Sequence, residues 1–201
     1  MSKRLILGSA SPRRRELLSL ITEDFTVTLA DIDERSLEAD LEQRRVPTLQ
    51  VSEELASAKA KAVFETLTPE QKACSVVIGA DTSVILDDEI YGKPESKEDA
   101  RRMLTNLSGR KHVVATGVSL VYEGGERRFT EESRVEFCEL DEYQQRIIES
   151  YIESGDPMDK AGAYGIQSGG ALLVKGIEGD FLNVVGLPVS RLARELSTVI
   201  V

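Results

Sequence analysis

Asp81 lies inside an almost unbroken apolar stretch, with Ser75-Val76-Val77-Ile78-Gly79-Ala80 before it and Thr82-Ser83-Val84-Ile85-Leu86 after it. Burying an unpaired carboxylate is costly enough that the group either neutralises or finds compensation. A chain retains such a residue where a metal ion, a proton-accepting role or a dense set of hydrogen bonds offsets that cost. Two further islands suit phosphate: Ser9-Ala10-Ser11-Pro12-Arg13-Arg14-Arg15 near the start, and Tyr91-Gly92-Lys93-Pro94 shortly after Asp81. Together they point to a site for a metal-bound polyphosphate.

The first island sits at a strand-to-helix turn. Leu5-Ile6-Leu7-Gly8 reads as a short buried strand, Ser11 as an N-cap and Pro12 as the first helical residue of a helix reaching about Leu20. Such a turn aims backbone N–H groups and the positive end of the helix dipole at one point. Three arginines in a first turn oppose the dipole but suit an anion, so at least one is expected on phosphate, with Arg15 the one left to solvent. After a strand at Phe25–Leu29 comes an acidic loop, Asp31, Asp33 and Glu34, which is either solvated or a source of oxygen ligands for Mg²⁺. Arg35 to Pro47 reads as a loop or ragged helix, and Ser52 opens a helix to about Leu67. Its apolar stripe passes through Leu55, Val63 and Leu67, yet Lys59 lies on the same face. That lysine either snorkels to water or serves the site. Lys93 is likewise either an ordinary turn residue or a phosphate ligand.

Beyond Asp81, a hairpin turns at Asp87-Asp88-Glu89, and Ser96 caps a helix to about Leu107. Val113–Tyr122 and Arg128–Leu140 read as strands joined through Glu123-Gly124-Gly125-Glu126. A helix at Glu142–Ser154, a glycine-rich stretch at Gly155–Gly186 and a helix from Pro188 to about Thr198 complete the chain. This mixture implies an α/β fold with a mixed central sheet flanked by helices. In the glycine-rich stretch, Asp159 through Gln167 interleaves Gly and Ala, which permits close backbone approach, and Gln167 offers both a donor and an acceptor.

Composition narrows the function classes. The chain has 201 residues, enough for a single domain over 1–201 with room for two lobes around a cleft. Twenty-five Lys and Arg against 35 Asp and Glu give a net charge of −10, which argues against a general nucleic-acid or anionic-membrane binder. An anion site in such a chain must concentrate its positive charge locally or recruit a cation. Cys74 and Cys138 have no CxxC spacing and are expected as two buried thiols in a reducing cytosol. The apolar run at the N-terminus is too short for a signal peptide, and no stretch approaches membrane-spanning length, so a cytoplasmic protein is expected. His112 is the sole histidine, which removes His-based metal clusters and makes a Ser-His-Asp triad a poor candidate.

Taken in order, these islands resemble the Maf-like nucleoside triphosphate pyrophosphatases, the septum-formation family. The resemblance runs through Ser9 to Arg14, Leu55-Ala56 with Lys59-Ala60, Gly79-Ala80-Asp81-Thr82, Gly92-Lys93-Pro94, Asp159 through Gln167, and Asn183 to Pro188. It implies a fold like that of the inosine triphosphate pyrophosphatases, a divalent metal (Mg²⁺ or Mn²⁺) and a homodimer. It also implies hydrolysis of a nucleoside triphosphate between the α and β phosphates. Asp81 would be the general base, with Glu34 as its metal or water partner, and both would hold the metal. Arg14, Lys59 and Lys93 would hold the triphosphate, Lys93 counting among the catalytic residues. Arg13, Thr82 and Gln167 are similar to the branch specific for dTTP and UTP. A Gln amide can pair with O4 and N3–H of uracil or thymine, though a flipped amide could pair with cytosine. Two departures stand out: Met158 where leucine is usual, and Ser168 where glycine is more typical; neither is expected to touch the chemistry. A non-catalytic nucleotide-binding regulator of septum formation, or a pyrophosphatase for non-standard purine triphosphates, is the alternative.

Overall fold

The computed structural model describes residues 3–200. The first part of the chain alternates β1 (Arg4–Leu7), α1 (Pro12–Ser19), β2 (Phe25–Val27), α2 (Glu34–Gln43), α3 (Thr48–Glu65) and α4 (Pro69–Ala73). The middle supplies β3 (Ser75–Leu86), β4 (Glu89–Tyr91), α5 (Lys97–Leu107), β5 (Lys111–Tyr122), β6 (Gly125–Phe137) and α6 (Glu142–Glu153). Short 3₁₀ turns at Asp156–Asp159, Ala161–Ala163 and Gly169–Leu173 follow, then β7 (Val174–Glu178), α7 (Phe181–Val185) and α8 (Val189–Val199). Seven strands form one mixed sheet in the order β2-β1-β3-β5-β6-β7, with β4 on β3. β1 runs parallel to β2 and β3, while β4 pairs antiparallel with β3 and β7 antiparallel with β6. The expected α/β class is the observed one. No helix among the described residues is long and apolar enough to cross a membrane.

The chain divides into two compact units. The first contains residues up to Asp81, Thr116–Glu131 and the chain from Gly186 onward. Its core gathers Ile6, Val77 and Val121 from three strands against Ala60 and Val63 of α3. Two glycines set how closely that helix lies on the sheet. A β-carbon on Gly79 would stand 2.1 Å from the Ala56 carbonyl oxygen, and one on Gly117 2.2 Å from the Glu53 nitrogen. On the same helix, Ser57 and Lys61 join Ser119 and Arg128 around Glu126. Burial pushes the Glu126 carboxyl up, but the bonds from Arg128, Lys61, Ser57 and Ser119 outweigh it and hold the pKa at about 2.

The second unit comprises Thr82–Ala115 and Glu132–Val185. Leu104 and Leu107 of α5, Ile148 and Ile152 of α6, and Leu173 are buried in it. Three rings, His112, Phe137 and Tyr164, pack edge to face at centroid distances of 4.8–5.5 Å. His112 Nε2 lies 2.8 Å from the Tyr164 hydroxyl, while Nδ1 is buried without a hydrogen-bond partner among the described residues.

Local differences from the sequence reading have physical causes. Residues 35–47 are largely the regular helix α2, whose single buried residue, Leu41, leaves almost no hydrophobic period to detect. Asp33 caps it by accepting from the Ser36 amide at 3.1 Å. Helix α3 begins at Thr48 rather than Ser52, because Ser52 is a wholly buried interior residue packed at Gly117. Cys74 and Cys138 are free, as expected, but half-buried rather than buried.

Two outcomes test these packing statements. Gly79→Ala should lower the unfolding free energy by about 1–3 kcal/mol or more, since backbone must move to admit the methyl group. Gly176→Ala, where no atom lies within 4 Å of a new β-carbon, should stay within about 0.5 kcal/mol; urea denaturation of both variants decides. Burial lowers the His112 pKa from 6.5 to about 4, so the folded state keeps the ring neutral while the unfolded chain protonates it. The stability this group supplies is therefore complete above about pH 6.5, declines as pH falls towards about 4, and is level below that. The loss amounts to about 3 kcal/mol. The stability gap between wild type and His112→Gln should narrow by that order across the window, and a gap independent of pH would contradict it.

Candidate active site

The first unit holds a cluster of charged side chains positioned by three helices and one strand. Alternation along β3 places Val77, Gly79 and Asp81 on the face that α3 covers. The close contact of Ala56 and Ala60 with Gly79 brings Lys59, between them on the helix, to the neighbouring Asp81. Lys59 Nζ lies 2.7 Å from Asp81 Oδ1 and 2.7 Å from Glu34 Oε2. The lysine side chain is only 10% exposed and that of Asp81 15%, while Glu34 is about half exposed. Lys59 therefore does not snorkel to water; its ammonium is spent on two carboxylates. Glu34 is the first residue of α2, fixed there by the Asp33 cap.

Arg14 belongs to the same electrostatic group. Ser11 caps α1 by accepting from the Arg14 amide at 3.4 Å, as the sequence implied. The guanidinium donates from Nε to the Gly186 carbonyl at 3.0 Å and from one terminal nitrogen to Ser9 Oγ at 3.4 Å. Desolvation pulls its pKa down, while the negative charges of Asp81 and Glu34 push it back up and Arg13 adds to the lowering. Arginine stays protonated under such shifts. Two carboxylates and two cations thus balance formally, which is how an acidic chain sustains a locally neutral site able to accept an anion.

Sequence reasoning selected Arg14, Glu34, Lys59 and Asp81, and the structure brings these four together. It missed Ser9 and Gly186 as the groups that aim Arg14. Gly186 lies 172 residues away along the chain, so no local spacing could expose that pairing. Arg13 is half-buried and Arg15 exposed. Asp31 and Asp33 are exposed, and Asp33 is engaged as a helix cap.

The remaining candidates lie in the second unit. Thr82 follows Asp81 on β3, and strand alternation turns it to the opposite face. Lys93 is exposed between buried Tyr91 and buried Pro94, in a turn whose Gly92 carbonyl accepts from the Gly162 amide at 3.0 Å. Gln167 is exposed on a tight turn in which the Ser168 amide donates to the Gly165 carbonyl at 3.2 Å.

No group of three or more His, Cys, Asp or Glu side chains able to hold a metal occurs among the described residues. The residues present nevertheless fit a hard cation. Glu34 and Asp81 each place an oxygen against one compact positive charge, the Lys59 ammonium. Mg²⁺ is satisfied by one or two carboxylates when water and substrate phosphates complete its shell.

The chain is similar to known proteins over nearly its whole length. The family model described as Maf-like protein matches residues 4–199. The dTTP/UTP pyrophosphatase of Geobacillus sp. (strain WCH70) is 46% identical over 194 residues, covering 96% of this chain and 97% of its own. That of Moorella thermoacetica is 48% identical over 190 residues, covering 94% and 90%. That of Thermococcus kodakarensis is 44% identical over 185 residues, covering 92% and 91%. With a match over nearly its whole length, this chain belongs to the Maf-like protein family.

Proposed function

We infer that this chain is a nucleoside triphosphate pyrophosphatase that hydrolyses dTTP and UTP to the monophosphate and pyrophosphate, with Asp81 as the general base. The observation that carries the reading is the largely enclosed carboxylate of Asp81, 15% exposed, set on a strand and bonded on one side by Lys59. The Asp81–Lys59 bond keeps the acid oriented, leaving its other oxygen to accept a proton from a water aimed at the α-phosphate. With Glu34 and Asp81 given to a divalent ion, Lys59 and Arg14 would offer their charge to the three phosphates, and Lys93 would add an exposed ammonium for the departing pyrophosphate. Glu34 and Asp81 would hold a divalent ion, which when bound neutralises phosphate charge. Specificity for uracil and thymine is given to Gln167, whose amide matches O4 and N3–H, with Arg13 and Thr82 assisting. A cytoplasmic homodimer is part of the same proposal.

Replacing Asp81 by Asn preserves size and most hydrogen bonding but removes the basic oxygen. Turnover of UTP should fall by about 10²- to 10⁴-fold while the variant remains folded by circular dichroism. A folded Asp81→Asn enzyme releasing pyrophosphate at near wild-type rate sinks the assignment. Gln167→Ala addresses base recognition alone. Its kcat/KM for UTP should drop roughly 10-fold or more with that for GTP little changed, as expected when a hydrogen-bonding contact to the base is lost. An unaltered UTP-to-GTP ratio means that the base is read elsewhere.

A further inference from the structure

The turn that carries Gln167 is held by a polar clasp lying wholly within the second unit. Ser168 Oγ donates to Asp156 Oδ2 at 2.5 Å. Lys160 Nζ donates to Asp156 Oδ1 at 3.0 Å, to the Asp156 carbonyl at 2.5 Å and to Asp159 Oδ1 at 2.6 Å. Tyr151 helps to keep the Asp156 carboxyl ionised, and its hydroxyl oxygen accepts from the Gly165 amide at 2.9 Å. Asp156 thus ties the residue after Gln167 to the buried Lys160, while Tyr151 of α6 holds the turn at Gly165.

Packing supports the turn only in part. On one side the Lys160 stem lies so close beneath Gly165 that a β-carbon there would stand 2.6 Å from Lys160 Cε. On another, a cavity of about 240 Å³ is lined by Ile147, Tyr151, Asp156, Gly169 and Leu172 among others. Where side chains leave such space, hydrogen bonds rather than close packing must fix the backbone. Desolvation raises the Asp156 pKa, but the bonds from Ser168, Tyr151 and Lys160 prevail and hold it at about 2, so the clasp is ionised at neutral pH.

We propose that Asp156, acting through the Ser168 hydroxyl and Lys160, is a positioning device that presents Gln167 to the base and so sets pyrimidine selectivity. The inference rests on Gln167 being the base reader. It gives a role to the Ser168 hydroxyl, which reaches Asp156 Oδ2. A glycine at 168 could close the same turn but could not reach Asp156 with a hydroxyl, so this chain pins the turn through a bond that glycine cannot form. The proposed effect is on orientation: a misaimed amide loses part of its pairing with O4 and N3–H while the phosphate-binding residues are untouched.

Ser168 is exposed, so Ser168→Ala is expected to fold normally. Its KM for UTP should rise about 5- to 10-fold with kcat changed less than about 2-fold, and the UTP-to-GTP preference should fall by the same factor. Ser168→Thr, which keeps the hydroxyl, should restore the preference. Asp156→Asn should lower it further, provided that its thermal unfolding confirms a folded protein. In a Gln167→Ala background, Ser168→Ala should have no additional effect on preference. If it lowers the preference equally in both backgrounds, the hydroxyl does not act through Gln167 and the proposal is wrong. If Gln167→Ala alters the preference but Ser168→Ala does not, the base reader stands and the clasp is rejected. If Gln167→Ala itself is without effect, both are rejected.

Discussion

At Gly79 the carbonyl of Ala56 occupies the space that any other side chain would need, and from this contact the candidate site follows. Helix α3 can lie against β3 only because that position lacks a β-carbon and because Ala56 and Ala60 are small. Lys59 is carried inward with them. Once there, its ammonium cannot remain unpaired, since removing one partner of a buried ion pair costs about 3–5 kcal/mol. Asp81 and Glu34 meet that requirement at equal distances. The cost of enclosing the Lys59 charge is thereby a reason for the two carboxylates beside it. Arg14 of α1 completes the balance.

That dependence explains what was legible beforehand. Asp81 and Lys59 betrayed themselves as charged residues on apolar faces, where burial has to be compensated, and Ser11-Pro12 announced the start of α1. The α/β order followed from alternating strand and helix patterns. Helix α2 was not legible, because one buried leucine generates no period, and its cap depends on Asp33, which looked equally like part of an acidic loop. The start of α3 was misjudged for the opposite reason: Ser52 has the chemistry of a cap but is buried at Gly117, where tertiary packing overrides local preference. Ser9 and Gly186 as partners of Arg14 could not be read from spacing at all.

The second unit solves its positioning problem by different means. Thr82 stands on a strand, but Lys93 and Gln167 stand on turns, whose backbone must be fixed by hydrogen bonds from elsewhere. Gly92 receives the Gly162 amide, and the Gln167 turn is closed on itself and tied to Asp156. The ring cluster of His112, Phe137 and Tyr164 anchors the chain just before that turn. Burial keeps Tyr164 protonated by raising its pKa, so its hydroxyl can serve His112 as a donor.

The contrast between the two arrangements has a physical logic. Proton transfer slows by about 10²-fold when a group is displaced by about 1 Å, so the proposed base Asp81 and its partners Lys59 and Glu34 stand on β3, α3 and α2, which fix them firmly. Recognition of a base edge needs only one amide aimed correctly, and a turn can do that if its orientation is fixed by a few strong bonds. A carboxylate is well suited to this because it accepts several bonds at once from groups distant in sequence. Asp156 accepts from Lys160 and Ser168, residues that stand on either side of Gln167 in the sequence. In the proposed arrangement selectivity would depend also on residues that never touch the nucleotide, because a misaimed amide loses part of the pairing by which one base is bound better than another.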